Sequence, residues 1–235
     1  MADASSTTSI ARTAGACALI VAAIQYVVLE AVTAAAWDNP TYSYAHNNIS
    51  DLGVPSCGGK VDGRVICSPL HTVMNTGFIV QGVLFALAAL LLFRLLPGPR
   101  QWIYPVLAVV HGIGFTLVGL FHGSPEAGMD GSMAVHIFGA ALLILGGNAA
   151  AIVVGRQLLN THKRLGLTGI TLGALGLLSL VVMGATSGHQ ISSTFERGSV
   201  YTFIAAQLVA GIALLARHRS ATPVATNPTP ARAGG

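Results

Sequence analysis

Five histidines, three acids and one arginine fall where they could do chemistry together. His46, His71, His122, His136 and His189 stand at or beyond the same ends of long apolar runs, and Asp51, Glu126 and Glu196 share that level with Asn47, Asn75 and Arg197. Neutral imidazole and carboxylate suit zinc, and three protein ligands plus a water supply a hydroxide near neutral pH. On that reading His71, His122 and His136 are the candidate ligands, with Asp51, Glu196 or Glu30 as candidate general base. A second reading is a hydrogen-bonded plug: His, Asn, Ser and Asp side chains cap exposed helix ends, and Glu196 or Asp51 pairs with Arg197. A third is haem, for which His71 and His136 could be axial ligands at matched depth. His111 lies near mid-membrane with no histidine partner there, which argues against haems stacked across a bilayer. The sequence leaves all three readings open.

Much of this chemistry sits in one polar insert, HNNISDLGVPSCGGKVDGRVICSPLHTVMN, from His46 to Asn75. Asn47, Asn48, Ser50, Asp51 and Gly53 are turn formers, so Ser50–Gly53 is expected to bend the chain back over the helices. Cys57 and Cys67 enclose a Gly-rich stretch; the spacing predicts a disulfide on an oxidising face, the other reading being two free thiols. Asn48-Ile49-Ser50 matches a glycosylation acceptor. Ser68 suits an N-cap and Pro69 a first helical residue. His71 and Asn75 then follow one turn apart on a single helix face, with Gly82 further along it.

The elements that must hold these residues are apolar helices. The chain has 235 residues, 53% hydrophobic and 9% charged, whereas soluble domains carry about 25% charged residues. A spanning helix needs about 20 mostly apolar residues. Six runs qualify: 11–37, 70–96, 102–122, 133–155, 167–186 and 200–217. They are continuous rather than alternating, which excludes a membrane β-barrel. The expected fold is therefore an all-α, six-transmembrane-helix bundle with a long first extracytoplasmic loop, 38–69. Residues 1–9 and 220–235, polar or rich in Pro, Ala and Thr, are expected to be disordered. The first run is too long for a cleaved signal peptide and contains Gln25 and Glu30.

Cations are sorted by side. Nine of the twelve Lys and Arg (Arg12, Arg94, Arg100, Arg156, Lys163, Arg164, Arg217, Arg219, Arg232) fall on the side of the termini, and only Lys60, Arg64 and Arg197 on the other. The positive-inside rule then puts both termini in the cytoplasm, as expected for a multi-pass protein of the plasma membrane. The net charge of +4 is thus a topology signal, and nothing indicates nucleic acid. There is no Walker loop, dinucleotide fingerprint, HExxH or paired CxxC.

Within the helices, Glu30 is expected either to face a polar pocket or to be wetted near the interface. Trp37, Tyr42 and Tyr44 read as an interfacial aromatic belt. Cys17 reads as a small packing residue. Gly112 and Gly119, and the Gly169–Gly173 pair, predict close helix contact.

Residues Ile49-Ser50-Asp51-Leu52-Gly53, Ser68-Pro69-Leu70-His71 with Met74-Asn75, the 78–82 region and Glu196-Arg197 carry a resemblance. Through them the sequence resembles the bacterial membrane family catalogued as domain of unknown function nine-nine-eight, over nearly the whole chain. That resemblance implies a six-helix fold and a membrane compartment, and implies no reaction. Ser50-Asp51-Leu52-Gly53 is also similar to an element of eukaryotic six-helix proteins of lipid-anchor remodelling and autophagy modulation, which implies a lipid-related role.

The functional expectation is a binding or structural membrane protein. Asn47, Ser50, Asp51, His71, Asn75, His136, Glu196 and Arg197 would line a polar vestibule for a lipid headgroup or cell-envelope partner. The alternative is a membrane-embedded lipid hydrolase or transferase, with zinc as its metal. A transporter is weaker: apart from Glu30 the charged groups avoid mid-membrane, and the two halves show no broken-helix pairing.

Overall fold

The computed structural model describes residues 2–61, 63–189 and 191–220. Six helices are long and apolar enough to cross a membrane. They are α1 (Ala2–Ala35), α2 (His71–Leu92), α3 (Ile103–Leu120), α5 (Ser132–Leu158), α6 (Lys163–Ala185) and α7 (Ser192–Ser220); α4 (Ala127–Asp130) is a single turn in the α3–α5 connection. Between α1 and α2 lie a 3-10 turn, Ser50–Gly53, and an antiparallel hairpin of β1 (Gly59–Val61) and β2 (Arg64–Ile66).

Breakers place the ends. Pro97, Gly98 and Pro99 interrupt the apolar sequence between α2 and α3, with Gly98 at φ 89°. Pro105 falls in the first turn of α3, where its missing N–H costs no helical bond. Gly131, left-handed at φ 83°, turns the chain from α4 into α5. Two boundaries differ most from expectation. α1 starts at Ala2, so it includes residues 2–9, where composition suggested disorder. α7 starts at Ser192 rather than near residue 200. Polar Ser192–Ser199 reads as loop by hydropathy, but the turn is paired to the first loop and becomes helical. The tail expected to be disordered lies, from residue 221, outside the described residues.

The spans close into a ring in the order α1–α2–α3–α5–α6–α7 and back to α1. An even number of crossings puts the N-terminus and the end of α7 at one face, the termini end. The first loop covers the opposite face, the loop end. Close approach is made by small residues: a Cβ on Gly82 would lie 2.9 Å from the Gly112 carbonyl oxygen, and one on Gly173 2.5 Å from that of Asn148. The expected glycine contacts of α3 and α6 are therefore formed, as membrane helices without a strong hydrophobic drive require. Ile24, Val28, Val83, Leu87, Leu90, Ile113, Leu178 and Val181 are exposed around the outside, an apolar band suited to lipid. One buried cluster lies at the loop end around Trp37, Tyr42, Ile49, Leu52 and Phe78; a second lies toward the termini end around Leu19, Phe85, Leu92 and Tyr104.

Candidate functional site

The loop end is built on Asp51. In the 3-10 turn its Oδ2 accepts the Asn48 N–H at 2.9 Å and the Asn47 amide at 3.4 Å. Arg64, delivered by β2, donates Nε to Oδ2 at 2.9 Å and Nη2 to Oδ1 at 3.3 Å. This two-point grip is the strong form of an arginine–carboxylate pair. Cys57 and Cys67 are joined in a disulfide across the base of the hairpin. The expected disulfide thus anchors the strand that carries Arg64. At the far side of the loop, Ser56 donates to Glu126 at 3.2 Å.

The loop is pinned to α2. Ser68 Oγ donates to the Leu52 carbonyl at 2.7 Å, and the Asn75 amide to the Gly53 carbonyl at 2.8 Å. Ser68 therefore holds the loop and does not cap α2, which begins at His71 with no side-chain cap. Gly53 fits by proximity: a Cβ there would collide with Asn75 Oδ1, so the Asn75 amide would have to move.

The loop is also pinned to α7. Glu196 accepts the Ile49 N–H at 2.7 Å, placing a carboxylate at the start of the 3-10 turn. Ser193 Oγ lies 2.6 Å from Asn48 Oδ1 and 2.8 Å from the His46 carbonyl, and Thr194 Oγ1 reaches the Ala45 carbonyl at 3.3 Å. One turn of α7 thus reads the backbone of residues 45–49.

Beneath these contacts is a charged centre between α1 and α7. Glu30 is 1% exposed and accepts the Tyr201 hydroxyl at 2.8 Å. Arg197 Nε lies 3.7 Å from Glu30 Oε1. Its Nη1 donates to the Asn47 carbonyl at 2.6 Å and to the Ser193 carbonyl at 3.4 Å, and its Nη2 to the Tyr42 hydroxyl. The guanidinium stacks 5.5 Å from the Tyr42 ring centroid and 5.2 Å from that of Tyr44. Among the described residues Glu30 Oε2 and Arg197 Nε have no hydrogen-bond partner. Burial pushes the Tyr42 hydroxyl well above the ordinary phenol range, with the Arg197 charge opposing the shift. Tyr44 is raised for the same leading reason, and the negative charge of Glu30 adds to it.

Several expectations are revised by this geometry. Arg197 pairs with Glu30, and Asp51 with Arg64; neither Asp51 nor Glu196 makes an ion pair to Arg197. Glu30 is neither wetted nor idle. Trp37 and Tyr42 are buried under the loop rather than at an interface, leaving Tyr44 as the exposed member of the trio. Cys17 is exposed on α1 rather than packed.

The histidines do not converge as ligands. His46 and His189 are exposed. His71 and His136 aim Nδ1 at backbone carbonyls, those of Ser68 at 3.1 Å and Phe121 at 2.7 Å. Since a carbonyl only accepts, each Nδ1 carries a proton in that bond. That orientation resembles the outer support of metal-binding imidazoles. Yet among the described residues no three His, Cys, Asp or Glu groups assemble as a metal site, so the donor set does not fit zinc held by His71, His122 and His136. Burial and the neighbouring charge of His71 hold His122 below its ordinary range, against a hydrogen bond to the Gly119 backbone. His111 donates to the Leu143 carbonyl at 2.6 Å among Phe85, Phe115 and Phe203, in aromatic packing rather than opposite a second imidazole.

A cavity of about 30 Å³ lies under the 3-10 turn, lined by Ser50, His136 and Glu196 on one side and by Tyr26, Phe78 and Phe115 among its apolar walls. That volume holds a water or two. Asn47, Ser50, Asp51, Asn75, His136, Glu196 and Arg197 are thus gathered under or within the loop, with His71 at its edge. Sequence reasoning missed Arg64, Tyr42, Tyr201 and Ser193. For Arg64 the signal was the Asp62-Gly63 hairpin dipeptide.

These features define an all-helical, multi-pass membrane protein whose first loop is folded onto a buried ionic centre. The chain belongs to the family described as Protein of unknown function (DUF998), whose model it matches over residues 19–213. That match takes in the loop, Glu30, Glu196 and Arg197. No curated protein and no solved structure matches the chain.

Proposed function

We propose that this protein binds the polar headgroup of a membrane lipid or lipid-linked envelope molecule at the Glu30–Arg197 centre, with the first loop as its cover. One observation carries the reading. Two opposite charges are buried side by side, and each retains a polar atom with no hydrogen-bond partner among the described residues: an acceptor on Glu30 Oε2 and a donor on Arg197 Nε. A buried ion pair is costly unless its remaining hydrogen bonds are satisfied, and an ionisable group within a span marks a functional site by default. An acceptor beside a cationic donor complements a headgroup that joins a hydroxyl or ammonium to an anionic phosphate. Access would run along Tyr201 and Tyr44, 36% and 47% exposed, which bridge the centre to the lipid-facing surface.

The loop end faces the extracytoplasmic side in this reading. Support comes from the bias of Lys and Arg toward the termini end and from the disulfide, a bond of oxidising compartments. The protein would reside in the plasma membrane, drawing its ligand from the outer leaflet. The bound state needs only local displacement of side chains, since Asp51 and Glu196 keep the loop seated.

Native mass spectrometry of the full chain, released from nanodiscs containing phosphatidylglycerol, phosphatidylethanolamine and phosphatidylcholine, tests this. Retention of one headgroup class by the wild type, reduced about tenfold in Glu30→Gln, is the expected result. Equal retention of all three lipids by both proteins would overturn the proposal.

A further inference from the structure

The termini end holds a second candidate site, independent of the first. A cavity of about 290 Å³ opens among α1, α2, α3, α5, α6 and α7 on the axis of the ring. Its walls are mainly leucine, with Leu92, Leu96, Leu158 and Leu214 among them, and its polar members are Arg12, His162 and the Tyr104 ring edge. It shares Leu19, Tyr104, Val154 and Ala210 with a narrower apolar space of about 60 Å³ that reaches inward to Phe203 and Gln207. The two together describe an elongated, greasy slot that starts beside a cation and runs toward mid-membrane.

Among the described residues no acid forms an ion pair with Arg12 at the slot entrance. Arg12 Nε is buried with no hydrogen-bond partner among the described residues. Among the described residues, six acids (Glu30, Asp38, Asp51, Glu126, Asp130, Glu196) belong to the half of the molecule nearer the loop end, and Asp3 stands near the termini end. Arg156, Lys163 and Arg164 add positive charge around the α5–α6 turn that carries His162. An arginine beside an apolar slot, in a field of like charge, recognises an anion attached to hydrocarbon.

We propose that this cavity binds a single-chain anionic amphiphile, its carboxylate or phosphate on Arg12 and its chain among the leucines. The volume sits at the lower end of small-molecule sites, about 300 Å³, which suits one chain and is tight for two. The narrower inner space, lined by Phe203 and Gln207 among others, would limit the chain length.

The test uses the full chain in nanodiscs of zwitterionic lipid, titrated with dodecanoate, dodecyl phosphate, dodecanol and dodecyltrimethylammonium while thermal unfolding is followed. The two anions should raise the unfolding temperature at concentrations about tenfold or more below those needed for the alcohol, the range of a charge-assisted hydrogen bond, and the cation should have no effect. Whichever anion acts at lower concentration identifies the headgroup as carboxylate or phosphate. Arg12→Gln should remove the preference for anions, Arg12→Lys should retain part of it, and Ala210→Phe, which fills the slot, should abolish stabilisation by anions and alcohol alike. Equal action of dodecanoate and dodecanol on the wild type overturns the proposal even if a variant fails to fold. So does an unaltered anion preference in Arg12→Gln. Neither outcome bears on the Glu30–Arg197 centre.

Discussion

Replacing Arg197 by Met should be among the most damaging single changes in the protein, and the reason can be worked from its contacts. The side chain is 7% exposed, lies 3.7 Å from Glu30, and donates to the Asn47 and Ser193 carbonyls and to Tyr42. Met keeps most of the volume but leaves the Glu30 carboxylate, among the described residues, with the Tyr201 hydroxyl as its hydrogen-bond donor. Removing one partner of a buried pair costs about 3–5 kcal/mol, mostly from the charge left behind. For a chain of this size that is an apparent unfolding temperature lower by about 6–20 °C. If the stranded charge is the cause, Glu30→Gln in the same background should recover about 1–3 kcal/mol, the coupling expected of residues in direct contact. The assay is a double-mutant cycle of thermal unfolding in one detergent, with fluorescence of Trp37 and Trp102 as the readout. Additive costs, within about 0.5 kcal/mol, would refute the claim that Glu30 and Arg197 form a unit.

Further expectations follow from the same geometry. Gly53→Ala should destabilise by about 1–3 kcal/mol through overpacking, since its Cβ would collide with the Asn75 amide; Asn75→Ala in addition should relieve part of that cost in the same unfolding assay. Tyr42 has a folded-state pKa raised by burial, so its contribution is complete below the unfolded phenol value near about 10 and declines as pH rises past it; Tyr42→Phe should flatten the alkaline limb of a stability–pH profile, and an unchanged limb would contradict the assignment. Cys57→Ser with Cys67→Ser should loosen the hairpin by about 2–4 kcal/mol, and trypsin should then cut at Lys60 or Arg64, sites it spares in the oxidised protein.

How much of this was legible in the sequence depends on the range of the interaction. The six spans follow from uninterrupted hydropathy, and the α3 and α6 glycines from spacing on a helix face, because both signals are local. The gathering of Ser50, Asp51 and Asn75 was also readable, since turn residues and a helix start lie close in the chain. The partners were not. Arg197 meets Glu30 across 167 positions of sequence, and nothing local says which acid an arginine will choose when three stand at its depth. Tyr42 reads as interfacial by its sequence because Trp and Tyr near a span end often sit there, whereas the loop folds over Trp37 and Tyr42 and makes that position interior. Ser192–Ser199 was read as loop because hydropathy counts serine as polar. The Ser193 and Thr194 hydroxyls are taken up by residues 45–48 of the first loop, a compensation that only the assembled fold supplies.

The account rests on the first loop being seated on α7 above the buried pair. Asn48→Cys with Ser193→Cys, made in a chain whose Cys17 is replaced by Ser, tests this in intact membranes, because the native side chains approach within 2.6 Å. Mild oxidation should join the two cysteines in most of the molecules, detected as a shift on a non-reducing gel after cleavage between them, while an Asn48→Cys, Thr168→Cys pair should stay open. Absence of the 48–193 bond under conditions that leave Cys57–Cys67 intact would contradict the seated loop, and the closed charged centre with it.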